Sequence, residues 1–326
     1  MSLDENLWIS CIISICTLSG FIINLFFIIP LCRYKLTSPF TTFILRFQFC
    51  YDGLVCLLRL FLHWFRVNDE GKPKYGLKID AFSCRIWFSE TLYWIMVGLS
   101  SHNLIIVGLD RLVAIELPMR YKIHYRMYVI LYTFYMLFIP QIGSLVGFLS
   151  KWFVNGTCQD IFVSVKDGTG DFIFSLYIWL WTVFNFLIPV IVPIFIYAKI
   201  FRKMRKISVN LNKIHVPTTC TKIVKPAFIS TMLFFIFLLP ENILIMMASY
   251  KIYDKQIDQY LYPVFNLLVT LISCINPIVY YKSLPKLREM CYQMYVLRFS
   301  HMRNIISSNT LLTQSKPDTN KSLEQM

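Results

Sequence analysis

Three ionisable side chains, Asp52, Arg59 and Glu241, stand inside long apolar runs of this sequence. A charge at the centre of a membrane helix costs roughly 2.5–3.5 kcal/mol on insertion scales, so each one needs a partner or a task. Two short strings make a similar demand. One is Asp110-Arg111, followed by Pro118; the other is Asn276-Pro277-Ile278-Val279-Tyr280. A proline inside a helix removes a donor and crowds the preceding turn. A membrane helix tolerates this only where neighbouring groups re-satisfy the backbone. Asn276 adds a costly amide at the same point. The chemistry these residues suit is switching between sets of polar partners. No nucleophile–base–orienter set, HExxH string or P-loop occurs, so an enzyme is not expected.

The elements that must position these residues are membrane helices. The 326 residues are 56% hydrophobic and 17% aromatic, only 15% charged, with a mean hydropathy of +0.57. That charge content is too low for a soluble domain of this size. Seven apolar runs approach the ~20 residues needed to cross a bilayer: roughly 7–31, 40–64, 86–109, 128–150, 173–200, 224–249 and 259–281. The second and third are the least clean, carrying Asp52, Arg59 and Glu90. The acidic start gives no sign of a cleavable leader, and the first run is expected to remain as a helix.

Basic residues follow runs one, three and five and fill the tail, whereas the alternate loops mix signs. By the positive-inside rule the N-terminus faces out and the tail faces in. The net charge of +14 then forms an inner collar facing lipid headgroups. With no basic soluble domain, nucleic-acid binding is a poor reading. The expected arrangement is an all-α, multi-pass bundle at the plasma membrane. Residues 1–6 form a short outer N-terminus, 7–296 the seven-helix domain, and 297–326 a disordered tail. The domain includes an amphipathic surface helix over 283–296, with Leu284, Leu287, Met290, Cys291 and Met294 at helical spacing.

Cys84 and Cys158 both fall on the outer, oxidising side, where a disulfide persists. Asn155-Gly156-Thr157 is a glycosylation sequon on that same side. Cys291 in the surface helix is either a palmitoylation site or an unmodified packing cysteine.

Ordered marks in six of the seven runs resemble the rhodopsin-like (class A) G-protein-coupled receptors, over residues ~7–295. They are Gly20 and Asn24; Asp52; Asp110-Arg111 with Pro118; Pro189 and Tyr197; Phe234 and Pro240; and the complete Asn276-Pro277-x-x-Tyr280 string. The resemblance implies that Arg111 is held back beside Asp110 and released on activation. Tyr197 and Tyr280 then swing in, bending occurs near Pro240 and Pro277, and a cleft opens for the C-terminal helix of a G-protein α subunit. The residues alone leave Arg111 a second reading, as an interfacial cation snorkelling to headgroups. Asp52 is expected to find Ser100, Ser273, Asn276 and, through water, Asn24. The family resemblance implies an allosteric sodium ion in such a cluster, and an ion-free polar knot is the alternative.

The sequence departs from the family at several points. Leu112 replaces a tyrosine, Leu238 stands where the family usually has a tryptophan, and the fourth run lacks its tryptophan. Cys84 lies 27 residues before Arg111, two more than usual, which predicts an altered or bulged start to the third helix. Tyr93 occupies the position of the aspartate that amine receptors use, and Thr270 that of the retinal lysine of opsins. Arg59 and Glu241 are expected to contact polar or charged ends of a ligand, with Tyr93, Trp94, Tyr262 and Asn266 lining the site. Alternatively the two charges form a structural clasp. A peptide ligand leads; a lipid or small metabolite stays open, as do a small membrane transporter and a receptor-like chain that does not signal. Tail residues Ser307, Ser308, Thr310, Thr313 and Ser315 are candidate phosphorylation sites for arrestin recruitment.

Overall fold

The computed structural model describes residues 3–36, 38–64, 81–154, 157–160, 175–176, 178–210, 218–249 and 255–297. Its long helices are α1 (Leu3–Arg33), α2 (Pro39–Trp64), α3 (Thr91–Glu116), α4 (Tyr125–Ser150), α5 (Ile188–Asn210), α6 (Thr218–Ser249) and α7 (Lys255–Ser283). The shorter α8 (Pro285–Cys291) follows and continues as a π-helical turn through Leu297. A short helix, Pro118–Ile123, links α3 to α4. A two-stranded antiparallel hairpin, β1 (Lys151–Val154) and β2 (Thr157–Asp160), follows α4.

Six of these helices are long and apolar enough to cross a membrane. The remaining long helix, α2, has 26 residues but carries Arg46, Asp52 and Arg59. Asp52 and Arg59 are both buried among neighbouring helices, which is why α2 tolerates them. The outward faces are greasy. On α1, Ile12, Ile15, Leu18, Ile22, Leu25 and Ile29 recur at helical spacing and are all exposed, as are Phe134, Leu137 and Phe138 on α4. This inversion, with polar groups inside and an apolar rim, suits a protein whose solvent is lipid.

Inside, two apolar clusters divide the bundle. One contains Leu31, Phe49, Ile200, Tyr280 and Leu287; the other contains Val55, Tyr93, Phe186, Leu238 and Val269. Two glycines allow close approach of helices. A methyl group on Gly20 of α1 would overlap the sulfurs of Cys56 (α2) and Cys274 (α7), which lie 3.7 Å apart. A methyl on Gly143 of α4 would overlap the Asn185 amide beside α5.

The helices outrun the apolar runs. α1 starts earlier, α3 and α5 extend past 109 and 200, and α6 begins at Thr218. Apolar counting stops where Arg and Lys begin, whereas backbone hydrogen bonding continues into water. At its other end α3 starts later than expected. Cys84–Phe88 forms a π-helical turn, and Glu90 then adopts a left-handed conformation (φ 55°) before α3 begins. The wider turn and the break accommodate the two extra residues between Cys84 and Arg111.

A second π-helical turn, Val183–Leu187, precedes α5. Such turns displace backbone carbonyls from the regular ladder. The Phe184 carbonyl accepts from His102 Nε2 at 2.8 Å, while His102 Nδ1 and the Tyr135 hydroxyl are hydrogen-bonded at 2.7 Å. The carbonyl can only accept, so Nε2 carries a proton.

Candidate functional site

Arg111 lies at the end of α3 and is 4% exposed. Its Nε donates to Asp110 Oδ2 at 2.9 Å. Its terminal nitrogen also meets Asp110 and the Thr41 hydroxyl of α2. Asp110 is further held by Thr41 Oγ1 at 3.0 Å and by the Tyr121 hydroxyl, which donates to Oδ1. Ser38 closes the circle at 2.7 Å from both the Tyr121 and Thr41 hydroxyls. The Tyr121 phenol is pushed up to about 12, first by burial and then by the Asp110 charge, so it is a donor at neutral pH. Arg111 is therefore folded back against α2 and the α3–α4 link. Tyr197 of α5 and Tyr280 of α7 are buried nearby, beside Thr231 and Ser230 of α6 respectively. Asp110 and Arg111 form a local ion pair, and the Arg111 charge reaches both tyrosines. Thr41, Ser38 and Tyr121 were missed, because hydroxyl groups beside a loop carry no spacing signal.

Asp52 sits in the middle of the bundle, fully buried. Ser100 Oγ donates to its Oδ1 at 2.6 Å, and Gln48 Nε2 and Asn276 Nδ2 reach Oδ2 at 3.1 and 3.0 Å. Asn24 Nδ2 bridges the carbonyls of Gly20 and Ser273, each at 2.9 Å, and the Ser273 side chain also interacts with Asp52. Gln48, unnoticed in the sequence, extends the network. Its Oε1 accepts from Asn103 Nδ2 at 2.8 Å, and Asn103 Oδ1 accepts from the Tyr132 hydroxyl of α4 at 3.0 Å. Asn103 also donates to the Ile44 carbonyl, which fixes its orientation and hence that of Gln48.

That orientation decides how well a sodium ion suits the cluster. Gln48 Nε2 points at Asp52 and also donates to Ser100 Oγ at 2.8 Å. A cation needs oxygen lone pairs, yet Gln48 offers protons to the two oxygens an ion would use. The Asn24 and Asn276 Oδ1 atoms are buried without partners, but no further carboxylate accompanies them. As arranged, the donor set does not fit a sodium ion; Gln48 supplies the positive end of a dipole in its place.

At the opposite end from Arg111, the Cys84 and Cys158 sulfurs are bonded, tying β2 to the entry of α3. Asn155 lies outside the described residues. Nearby, Arg59 Nη1 is 3.6 Å from Glu90 Oε1, and its guanidinium lies 5.7 Å from the centroid of the Tyr93 ring. Glu90 reaches inward from its left-handed position at the break before α3. Arg59 thus pairs with Glu90, not with Glu241. Glu241 is 2% exposed, and neither carboxylate oxygen has a hydrogen-bond partner. It feels the charges of both Glu90 and Arg59. The Tyr93 hydroxyl meets Thr270 Oγ1 at 3.2 Å and the Asn266 carbonyl at 3.4 Å. Trp94 packs edge-on against Tyr93 and Trp181, both with centroids 5.0 Å away. The Tyr262 side chain lies outside the described residues.

Beside this cluster, Trp94, Trp181, Asn185, Leu238 and Asn242 help line a small cavity. The amide of Asn185 and Oδ1 of Asn242 are buried there without partners. Leu238 is smaller than the tryptophan common at its position and leaves that space open. The remaining proline marks fall as expected, with Pro240 inside α6 and Pro277 inside an unbroken α7.

Cys291 does not face lipid. It is 4% exposed and packs with Leu287 and Met290 against the bundle, and burial pushes its thiol up to about 11. The α8 segment docks through Tyr295, which stacks on Phe26 (4.1 Å) and donates to the Phe26 carbonyl at 2.8 Å.

No curated protein is matched by the sequence. The family model for the 7 transmembrane receptor (rhodopsin family) matches residues 23–280, which span all seven long helices in whole or part. Every ordered mark except Gly20 lies within that match, and this multi-pass membrane chain belongs to the rhodopsin-like family of seven-transmembrane receptors.

Proposed function

We propose that the chain is a ligand-driven signalling receptor that activates a heterotrimeric G protein. The observation that carries this reading is the placement of two charged clusters at opposite ends of one bundle, with a polar network between them. At one end Arg111 is restrained by Asp110, Thr41 and Tyr121. At the other, Arg59, Glu90 and Glu241 gather around Tyr93. The Asp52 network joins α2, α3 and α7 and, through Asn103, α4. A ligand that binds one arrangement of the first cluster more tightly shifts the population toward it. Release of Arg111 then opens a groove for a helix of the G protein.

The basic inner collar supports an extracellular N-terminus and a cytoplasmic tail at the plasma membrane. The disulfide end then faces outward, where Asn155 would be glycosylated, and the tail would recruit arrestin on phosphorylation. A peptide suits the ligand site, where Arg59, Glu90 and Glu241 offer several charged contacts around the Tyr93 and Trp94 rings. A lipid is the second reading, favoured by an apolar groove between Trp179, Phe186, Leu239, Ile243 and Met247. The test is nucleotide exchange on a purified heterotrimer, using membranes containing the chain and an active extract fraction. Exchange accelerated by the fraction supports the receptor. Uptake of a component of the fraction without exchange replaces it with a transporter.

A further inference from the structure

One acidic group beside Tyr93 has no partner. Arg59 meets Glu90 at 3.6 Å. Glu241 is left with two buried oxygens and no hydrogen bond among the described residues. A buried carboxyl group with no partner is costly for a fold to hold. The following residue, Asn242, also has an unpartnered oxygen and lines a small cavity. The break before α3 holds Glu90 beside Arg59. A left-handed, non-glycine residue is costly and persists where surrounding structure enforces it. Its effect is to hold Glu90 against Arg59, the described cation whose charge also reaches Glu241.

We infer that the ligand carries a cationic group, a protonated amine or a guanidinium, that pairs with Glu241. The inference rests on the receptor reading above and names the ligand chemistry that reading leaves open. Amine receptors present their counter-charge at the position of Tyr93; here α6 presents it from the opposite wall. Arg59 is therefore not the ligand's main electrostatic contact, and an anionic ligand end would have to displace Glu90 to use it. The Tyr93 and Trp94 rings stand beside the site and suit a cation, which is attracted to aromatic faces.

The test uses the purified full-length chain with small probes, so it needs neither the natural ligand nor a G protein. L-Argininamide and its neutral isostere L-citrullinamide are titrated while the apparent Tm is followed. Argininamide is expected to raise Tm in a saturable way and citrullinamide to have little effect. Glu241→Gln removes one charge and breaks no hydrogen bond, so it should fold; its affinity for argininamide should drop about tenfold or more. Arg59→Gln makes the pocket more negative and should tighten argininamide binding. Equal responses to both probes would overturn the inference, as would an argininamide response that survives Glu241→Gln. A saturable, Glu241-dependent response alongside no exchange with any extract would leave the cation site standing while the signalling reading fell.

Discussion

Asp110 holds Arg111 with two of its own oxygens shared among Thr41, Tyr121 and the guanidinium. Asp110→Asn keeps the shape and removes the charge, so Arg111 should be released more readily. Ligand-independent nucleotide exchange should rise several-fold, and exchange assays on membranes check it. The tyrosine gives a pH signature. Its raised pKa means that its contribution to stability is complete below its ordinary value of 10 and is lost as pH rises toward about 12. Wild type should therefore lose more Tm across that interval than Tyr121→Phe. Gln48 supports another residue-scale prediction. Sodium should not shift the Tm of wild type, because the Gln48 amide already faces Asp52 and Ser100. In Gln48→Leu those oxygens are freed and a sodium-dependent rise should appear. A wild-type sodium response that Asp52→Asn abolishes would contradict this. These three lock and network residues show where reading the sequence stops. Asp52, Ser100, Asn276, Asp110 and Arg111 stand out because charge and amide groups are conspicuous in apolar runs. Gln48, Thr41 and Tyr121 become meaningful only once helices bring them face to face.

At the scale of elements, close helix approach depends on small residues at named points. Gly20→Ala should cost on the order of 1–3 kcal/mol by overpacking against Cys56 and Cys274. Reduced Tm with intact ligand pharmacology is the expected result. The α8 segment makes its own test. Its apolar face, legible from helical spacing, packs inward with Cys291 nearly covered. Cys291 should resist alkylation in the folded protein and carry no acyl chain. A palmitoyl label that Cys291→Ala removes would show that α8 turns over to face lipid. Helix existence was legible throughout, because seven apolar runs of span length have no other solution in lipid. Helix ends were not, since they lie in polar stretches where hydropathy is silent. The π-helical turn at Cys84–Phe88 was foreshadowed only by a spacing two residues too long, and the turn at Val183–Leu187 by nothing. Glu90 was read as an impurity in the third run; it is the residue whose backbone break points it at Arg59.

For the whole molecule, the greasy outer faces and polar interior account for membrane residence, and the family match accounts for the helix order. The coupling between the two ends is the remaining claim, and it is reciprocal by necessity: what favours the released Arg111 also favours ligand binding. The most direct measurement is G-protein nucleotide exchange driven by fractionated tissue extract, with and without protease pretreatment, in wild type and Arg111→Ala at matched surface expression. The account predicts a signal from wild type that protease removes and that Arg111→Ala lacks. A signal of equal size in Arg111→Ala would contradict it, because the restrained arginine would then play no part in activation.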